Sequence, residues 1–282
     1  MSGSFMPLWT TLQDLEILQL QGLQWTVSHA YGNSSFYRER LEGAGVTPDQ
    51  IRTLKDLERL PFTTADDLQT GYPFPLRSVS FDRIVRVHAS SGTTGRRKVL
   101  CYTQQDLNDR AFMFARCYEM AGLSRQDRVQ IAVGYGLWTA GVGFQLGCER
   151  FGAMTVPVGP ANSEMHCQML VDLQSTVFCA TASMALLIAE EIERRGLKDK
   201  IALRKFIFGA ERHSRGMRQR IQEITGADHL FDIPGLTELY GPGTGLECRV
   251  HDGIHYWADY YILEIIHPET LQPAGPGEIG EM

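Results

Sequence analysis

The strongest constraint on the fold is an alternation, beginning near residue 84, of short apolar runs with longer segments of helical periodicity. The apolar runs are residues 84–87, 129–133, 154–158, 176–179, 205–208 and 230–233. The helical segments are residues 104–120, 163–173, 183–195 and 215–224, and Gly122, Gly196 and Gly226 stand where helix ends are expected. Strands that alternate with helices favour an α/β fold with layered sheets flanked by helices.

The regions on either side of this alternation have a different character. Leucine-rich helical spacing over residues 8–45 predicts two helices, Pro48 starts another short helical stretch, and residues 63–67 resemble a capped helix start. After Gly241 the sequence is glycine-rich, with predicted strands at 254–257 and 261–266. We therefore expect an N-terminal helical cap (1–83), an α/β subdomain (84–200), and a second α/β subdomain with a β-rich C-terminal portion (201–282).

Composition excludes several functional classes. The 27 basic and 33 acidic residues give a net charge of −6, which argues against a nucleic-acid partner because phosphate binding needs a clustered basic face. The leucine-rich residues 8–27 contain acidic and glutamine side chains, so they predict neither a membrane span nor a signal peptide. The six cysteines form no CxxC pair, which favours reduced thiols. A cytoplasmic location is expected.

The most informative segment is a hydroxyl- and glycine-rich loop that follows the first apolar run. It consists of Ser90, Ser91, Gly92, Thr93, Thr94 and Gly95, followed by the basic run Arg96-Arg97-Lys98. Its glycines allow several backbone N–H groups to turn inward, and its hydroxyls add donors for phosphate oxygens. A hydrophilic surface hairpin is the alternative. A Walker A loop is excluded because Gly95 is not followed by Lys and Ser or Thr.

The order Ser-Ser-Gly-Thr-Thr-Gly resembles the ATP-phosphate loop of adenylate-forming enzymes. Residues 134–141, 209–211 and 232–243 are similar to further motifs of that family, in the same order along the chain. Residues 255–259 and 264–270 resemble the phenylacetate-CoA ligase branch. The resemblance implies the fold of the family's large N-terminal domain and the ATP-dependent conversion of an aromatic carboxylic acid to an acyl-adenylate, followed by thioester formation with CoA.

The resemblance also implies roles for individual residues. The loop would hold the β- and γ-phosphates of ATP, while Thr237 and Glu238 would be catalytic, meeting the α-phosphate and the Mg²⁺ that offsets its charge. The cofactor-binding wall would consist of Gly209, Ala210, Glu211, Asp232, Pro234 and Gly235. The substrate pocket would be lined by Tyr135, Trp138, Ala140, Gly141 and Pro242. Without the resemblance, Tyr135 and Trp138 would be read as core aromatics and Glu238 as a carboxylate at a helix start.

The sequence departs from the family pattern at several positions. Pro234 replaces the aromatic residue that stacks on adenine, so we expect weaker binding of the base. Arg96 replaces a lysine, and Trp138 and Ala140 replace Phe and Gly, which predicts a reshaped acyl pocket. The chain finishes at Met282, before the family's ribose-binding Asp and catalytic Lys, so the expectation is an N-terminal part that adenylates poorly alone.

Three alternatives remain open from the sequence. Cys248 and His255 are close enough along the chain to bind one Zn²⁺ if the intervening turn folds back. The N-terminal helices, with Trp9, Leu20 and Trp25, could form a homodimer surface, as in the related ligases. Pro234 makes a nucleotide-binding pseudoenzyme the third possibility. The expected partners are otherwise small molecules: a carboxylic acid, ATP and CoA.

Overall fold

The structure is a computed structural model, and it describes residues 4–90, 92 and 95–282. The chain divides into two compact units. The first comprises residues 4–6 and Ile84–Tyr256, and the second comprises Pro7–Arg83 and Trp257–Met282. The three-part domain division expected from the sequence stays a prediction.

The described residues form seven α-helices and eleven strands. The helices are α1 (Leu12–Asn33), α2 (Ser35–Gly43), α3 (Gln104–Met120), α4 (Ala140–Phe151), α5 (Ser163–Asp172), α6 (Ala182–Arg194) and α7 (Arg215–Thr225). The strands are β1 (Ile84–Ala89), β2 (Val99–Thr103), β3 (Arg128–Ile131), β4 (Met154–Val156), β5 (Val177–Thr181), β6 (Lys205–Gly209), β7 (His229–Ile233), β8 (Gly235–Leu236), β9 (Gly241–Pro242), β10 (Gly245–Glu247) and β11 (Ile254–Tyr256).

A five-stranded parallel sheet organises the first unit. Its strand order is β4-β3-β5-β6-β7, and successive strands are connected by α4, α5, α6 and α7. The central strands are largely buried, and Phe178, Phe206 and Phe208 have no exposed surface. The alternation of apolar runs and helices in the sequence therefore correctly predicted an α/β fold. The chain leaves β3 first toward β4 and then returns to β5 on the other side, which places a topological switch point at β3.

Local chemistry explains why the helix ends were readable from the sequence. Thr103 forms a capping box with Asp106: its hydroxyl accepts from the Asp106 N–H at 3.2 Å, and the Asp106 carboxylate accepts from the Thr103 N–H at 2.6 Å. The predicted helix over 104–120 is confirmed as α3. Gly122, Gly196 and Gly226, with φ angles of 66°, 62° and 75°, lie at helix ends in the left-handed conformation that glycine adopts easily.

The structure differs from the sequence-based expectation in three local features. Helix α4 was not predicted, because its glycine-rich sequence lacks the polar face that marks a surface helix. The strand predicted at 261–266 is wrong, since only Ile266 makes isolated bridges there, to Pro273 and Glu281. The helix predicted from residue 63 is also wrong. Thr64 and Asp67 form the expected capping contact, but turns follow, because Gly71 and Pro73 prevent a regular helix.

The second unit has its own small core beneath α1 and α2. The buried residues of this core are Leu23, Val27, Leu41, Val46 and Ile51, and Ile262 from the C-terminal segment packs against them. The predicted pair of helices is confirmed, and the stretch after Pro48 forms two 3₁₀ helices, Pro48–Gln50 and Leu54–Arg59. None of the helices in the described part of the chain is long and apolar enough to cross a membrane.

Candidate functional site

A pocket opens at the carboxyl ends of the parallel strands. Val133 follows β3, Thr181 ends β5, Gly209 ends β6 and Ile233 ends β7, and all four line this pocket. The pocket has a volume of about 440 Å³, which includes the space at its mouth that is open to solvent. In open α/β sheets, ligands bind outside the carboxyl ends of the strands near a topological switch point, so this is the expected position of a binding site.

Two further segments complete the pocket wall. One is the start of α4, and the other is the hairpin of β8 and β9. The lining residues from these segments are Trp138, Thr139, Ala140, Phe144, Gly235, Thr237, Gly241 and Pro242. Seven residues predicted from the sequence therefore line one pocket: Trp138, Ala140, Gly209, Ala210, Gly235, Thr237 and Pro242. Segments separated by about a hundred positions in the chain converge here.

Close backbone approaches shape this pocket. A Cβ atom at Gly209 would collide with the carbonyl oxygen of Ile233, and one at Gly235 would collide with that of Gly241. Ala210, between these segments, has a φ of 66°, which is unusual for a residue with a side chain. Backbone without side chains at Gly209 and Gly235, next to a strained Ala210, is typical of sites where a ligand approaches the main chain closely.

The β8–β9 hairpin carries Glu238 at its tip. Residues Thr237–Leu239 form a short 3₁₀ turn, and Tyr240 closes it with a φ of 69°. The Tyr240 hydroxyl donates to Asp106 at 2.8 Å, which ties the hairpin to the start of α3. Glu238 forms an ion pair with Lys98, with 2.9 Å between Oε1 and Nζ. Lys98 belongs to the basic run after the predicted phosphate loop, so loop and hairpin are directly connected.

The predicted phosphate loop connects the antiparallel strands β1 and β2. Ser90 and Lys98 close its base: the Ser90 N–H donates to the Lys98 carbonyl, and the Lys98 N–H donates to the Ser90 hydroxyl, both at 3.0 Å. Gly92 and Gly95 have φ angles of 77° and 137°, which side-chain-bearing residues rarely adopt. Ser91, Thr93 and Thr94 lie outside the described residues. The strands on either side of the loop form a hairpin, and Lys98 at its base contacts Glu238.

Some predicted site residues do not line the pocket. The Glu211 carboxylate accepts from the N–H and hydroxyl of Ser183, at 2.8 and 3.0 Å, and so holds the first turn of α6. Burial raises the pKa of Asp232, whose carboxylate lies 3.9 Å from His213. The Pro234 carbonyl accepts from Gly243 N–H at 3.2 Å within the hairpin.

Tyr135 and Gly141 also lie beside the pocket rather than in its lining. A Cβ atom at Gly141 would collide with the Tyr135 ring, so Gly141 makes room for that ring. The Tyr135 hydroxyl is buried without a hydrogen-bond partner among the described residues, and burial raises its pKa to about 12. The Tyr135 ring therefore packs against Gly141 at the start of α4.

Four residues that organise the site were not predicted from the sequence: His88, Arg110, Thr139 and, as the partner of Glu238, Lys98. Arg110 is 1% exposed, and its guanidinium donates to the Thr139 carbonyl and lies 3.4 Å from His88 Nε2. His88 Nδ1 donates to the Leu137 carbonyl at 3.2 Å. Burial, followed by the charge of Arg110, lowers the pKa of His88 to about 4, so the ring is neutral. Thr139 stood within the motif at 134–141 and Lys98 within the basic run after the predicted phosphate loop, but their contacts were not predicted.

The zinc expectation finds no support in the arrangement of side chains. Among the described residues, no group of three or more His, Cys, Asp and Glu side chains is placed to hold a metal ion. Cys248 and His255 therefore have no complete ligand set around them. The nearby His251 instead contacts Glu247 and His229, both at 3.2 Å.

Comparison with known proteins agrees with this geometry. The family model described as "AMP-binding enzyme" matches residues 38–282, so the chain belongs to the AMP-binding enzyme family. The phenylacetate-coenzyme A ligase of Escherichia coli (strain K12) is 41% identical over 275 residues, which are 96% of this chain and 63% of the relative. That of Aromatoleum evansii is 38% identical over 283 residues, 99% of this chain and 64% of the relative.

A solved structure gives the same result. The open conformation of 2-hydroxyisobutyryl-CoA ligase, in complex with 2-HIB-AMP and CoA, matches with a TM-score of 0.87 and 25% identity over 96% of this chain and 61% of that one. The predicted resemblance to the adenylate-forming enzymes is confirmed. The chain spans somewhat less than two thirds of the length of each of these proteins.

Proposed function

We propose that this chain forms the nucleotide- and acid-binding part of an ATP-dependent, AMP-forming acid:CoA ligase. The observation that carries the proposal is the convergence of the Trp138, Gly209 and Thr237 segments on one pocket at the carboxyl ends of the sheet. The relatives named phenylacetate-coenzyme A ligase and the ligase solved with an acyl-adenylate and CoA support it.

The reaction has two group transfers. In the first, a carboxylate oxygen of the acid attacks the α-phosphorus of ATP, the bond to the β-phosphate breaks, and pyrophosphate leaves with the electron pair. In the second, the thiol of CoA attacks the acyl carbonyl and AMP leaves, which forms the thioester. In this chain, Thr237 in the pocket lining would contact the α-phosphate, while the loop after Ala89 would hold the outer phosphates.

Glu238 fits the Mg²⁺ that accompanies ATP. Magnesium commonly binds one or two protein carboxylates together with substrate phosphates and water, so a single carboxylate beside a phosphate loop is sufficient. The Glu238 side chain is 28% exposed and already faces a cation, Lys98. Bound Mg²⁺ would offset the phosphate charge, and Lys98 would then be free to turn toward a phosphate oxygen. Zinc is not part of the proposal.

The pocket favours an acid with an apolar body. Its described lining contains no charged side chain, and Trp138, Phe144 and Ile233 supply apolar surface. An aromatic or branched acyl group suits such a surface. Because Pro234 offers no π-face to adenine, we expect the acyl part to contribute more of the affinity than the base.

Calorimetric titration tests the proposal without requiring turnover. The probes are AMP and phenylacetyl-sulfamoyl adenosine, a stable mimic of an acyl-adenylate. We expect the mimic to bind at least tenfold more tightly than AMP. Gly209→Ala should abolish binding of the mimic because its Cβ meets the Ile233 carbonyl. Gly216→Ala, where a Cβ would lie 3.8 Å from Ser214 Oγ in ordinary contact, should bind normally.

The outcome separates the two functional readings. Absence of binding by wild-type protein would contradict the ligase proposal. Binding of AMP with no gain for the mimic would instead favour a nucleotide-binding module without acid activation.

A further inference from the structure

The inner wall of the pocket contains a buried hydroxyl that the fold does not use. Thr139 has no exposed surface, and its Oγ1 has no hydrogen-bond partner among the described residues. Thr139 occupies the N-cap position of α4, where a threonine hydroxyl commonly accepts a backbone N–H, yet it makes no such bond. Leaving a buried hydroxyl unpaired is unfavourable, so a ligand atom is the natural partner.

The surroundings of this hydroxyl are electropositive. Helix α4 is 12 residues long and begins immediately after Thr139, so the positive end of its dipole points toward the pocket. The buried Arg110 donates to the Thr139 carbonyl from behind. The lining residues that the structure describes include no carboxylate. An anion is therefore favoured at this wall over a neutral or cationic group.

The hydroxyl also lies beside the hairpin that carries Thr237. A Cβ atom at Gly241 would collide with Thr139 Oγ1, so the two residues are in close contact. Gly241 pairs with Leu236, the residue immediately before Thr237. The Thr139 hydroxyl and the proposed α-phosphate contact thus belong to one wall of one pocket.

We propose that the Thr139 hydroxyl, at the start of α4, receives the carboxylate of the acid substrate, and that Arg110 is the positioning residue behind it. The hydroxyl donates to one carboxylate oxygen, which leaves the other oxygen to attack phosphorus. The acyl carbonyl oxygen of the resulting adenylate keeps the same hydrogen bond. The inference rests on the proposed function, since it assigns the acid-binding contact of that site.

Thr139→Val and Thr139→Ser provide matched variants, because valine keeps the shape without the hydroxyl and serine keeps the hydroxyl. With phenylacetyl-sulfamoyl adenosine we expect roughly tenfold weaker binding for the valine variant and binding within a few-fold of wild type for the serine variant. AMP should bind all three proteins alike. Because the hydroxyl is unpaired in the free protein, the urea midpoint of the valine variant should not fall.

A second probe separates this contact from a general change in pocket shape. Phenethyl-AMP carries the same ring but lacks the acyl carbonyl, so its affinity should be the same for wild type and Thr139→Val. Equal binding of the sulfamoyl mimic by wild type and Thr139→Val would overturn the inference, and so would an equal loss of affinity for the mimic and for phenethyl-AMP. Wild-type protein that binds neither AMP nor the mimic would instead overturn the proposed function, and the inference with it.

Discussion

One buried polar side chain at each end of the parallel sheet shows how the two ends differ. At the amino end, the Asp127 carboxylate accepts from the N–H and hydroxyl of Ser124, at 2.7 and 3.1 Å, from the Thr176 hydroxyl at 2.7 Å and from Arg204 at 2.9 Å. Burial alone would raise the pKa of Asp127, but these hydrogen bonds outweigh burial and the pKa is lowered. This end stabilises the fold.

The carboxyl end has the opposite character. Thr139 keeps an unpaired hydroxyl there, Ala210 and Tyr240 have positive φ angles, and Gly209 permits a close backbone approach. Strain and unused hydrogen-bonding capacity cost stability, and they persist where a ligand supplies the missing interactions. One sheet can therefore separate stability from function between its two ends.

The largest expected effect is at the amino end. Asp127→Ala removes a buried carboxylate with four donors, and it should lower the free energy of unfolding by about 3 kcal/mol, as measured by urea denaturation. Asp199→Ala, at an exposed position, is the control and should change stability little. Folded Asp127→Ala protein should bind AMP normally. Loss of AMP affinity in that variant would break the separation between the two ends.

A pH dependence should distinguish the two ends next. His88, beside the carboxyl end, has a pKa of about 4 in the folded protein against 6.5 in the unfolded chain. Its contribution to the free energy of unfolding is therefore fully present above pH 6.5 and is lost as the pH falls toward 4. We expect protonation of His88 in the unfolded chain to lower the free energy of unfolding by about 2 kcal/mol between pH 7 and pH 5. The contribution of Asp127, whose pKa is lowered from 3.8, should persist over that range and decline only in stronger acid.

His88→Asn is the matched variant for this measurement, because asparagine does not titrate. Urea denaturation at both pH values should show a smaller loss in the variant than in wild type. An identical loss in the two proteins would mean that His88 is not the acid-sensitive group at this end.

The smallest effect on stability is expected at Glu238, where the main effect should be on ligand binding. Its ion pair with Lys98 is partly exposed, so Glu238→Gln should change stability by less than about 1 kcal/mol. The same change should weaken binding of ATP in the presence of Mg²⁺ roughly tenfold, with little change for AMP. Glu193→Gln, which alters the exposed pair with Arg220, serves as control in calorimetry. If Glu238→Gln and Glu193→Gln bound ATP with equal affinity, Glu238 would not contribute to binding of ATP with Mg²⁺.

Much of the fold was predictable because its signals are local. The α3 boundaries follow from the Thr103 capping box, and the buried strands follow from their apolar runs. Helix α4 was missed because a glycine-rich segment lacks helical patterning, and the strand predicted at 261–266 was wrong because its residues pair only at Ile266.

The motif segments of the site could also be predicted from the sequence, but the contacts between these segments could not. The ion pair of Lys98 with Glu238 spans 140 positions, and the contact of Arg110 with the Thr139 carbonyl depends on helix packing. Neither leaves a local pattern in the sequence. Glu211 shows the converse, since it stands within a motif but holds the start of α6.

A crystal structure of the protein with phenylacetyl-sulfamoyl adenosine tests the central claim most directly. We expect adenosine against the Gly209 and Ala210 backbone, the phenylacetyl ring beside Trp138, and the acyl oxygen within hydrogen-bonding distance of Thr139 Oγ1. Density for the compound at the amino end of the sheet, or anywhere outside the pocket, would contradict it.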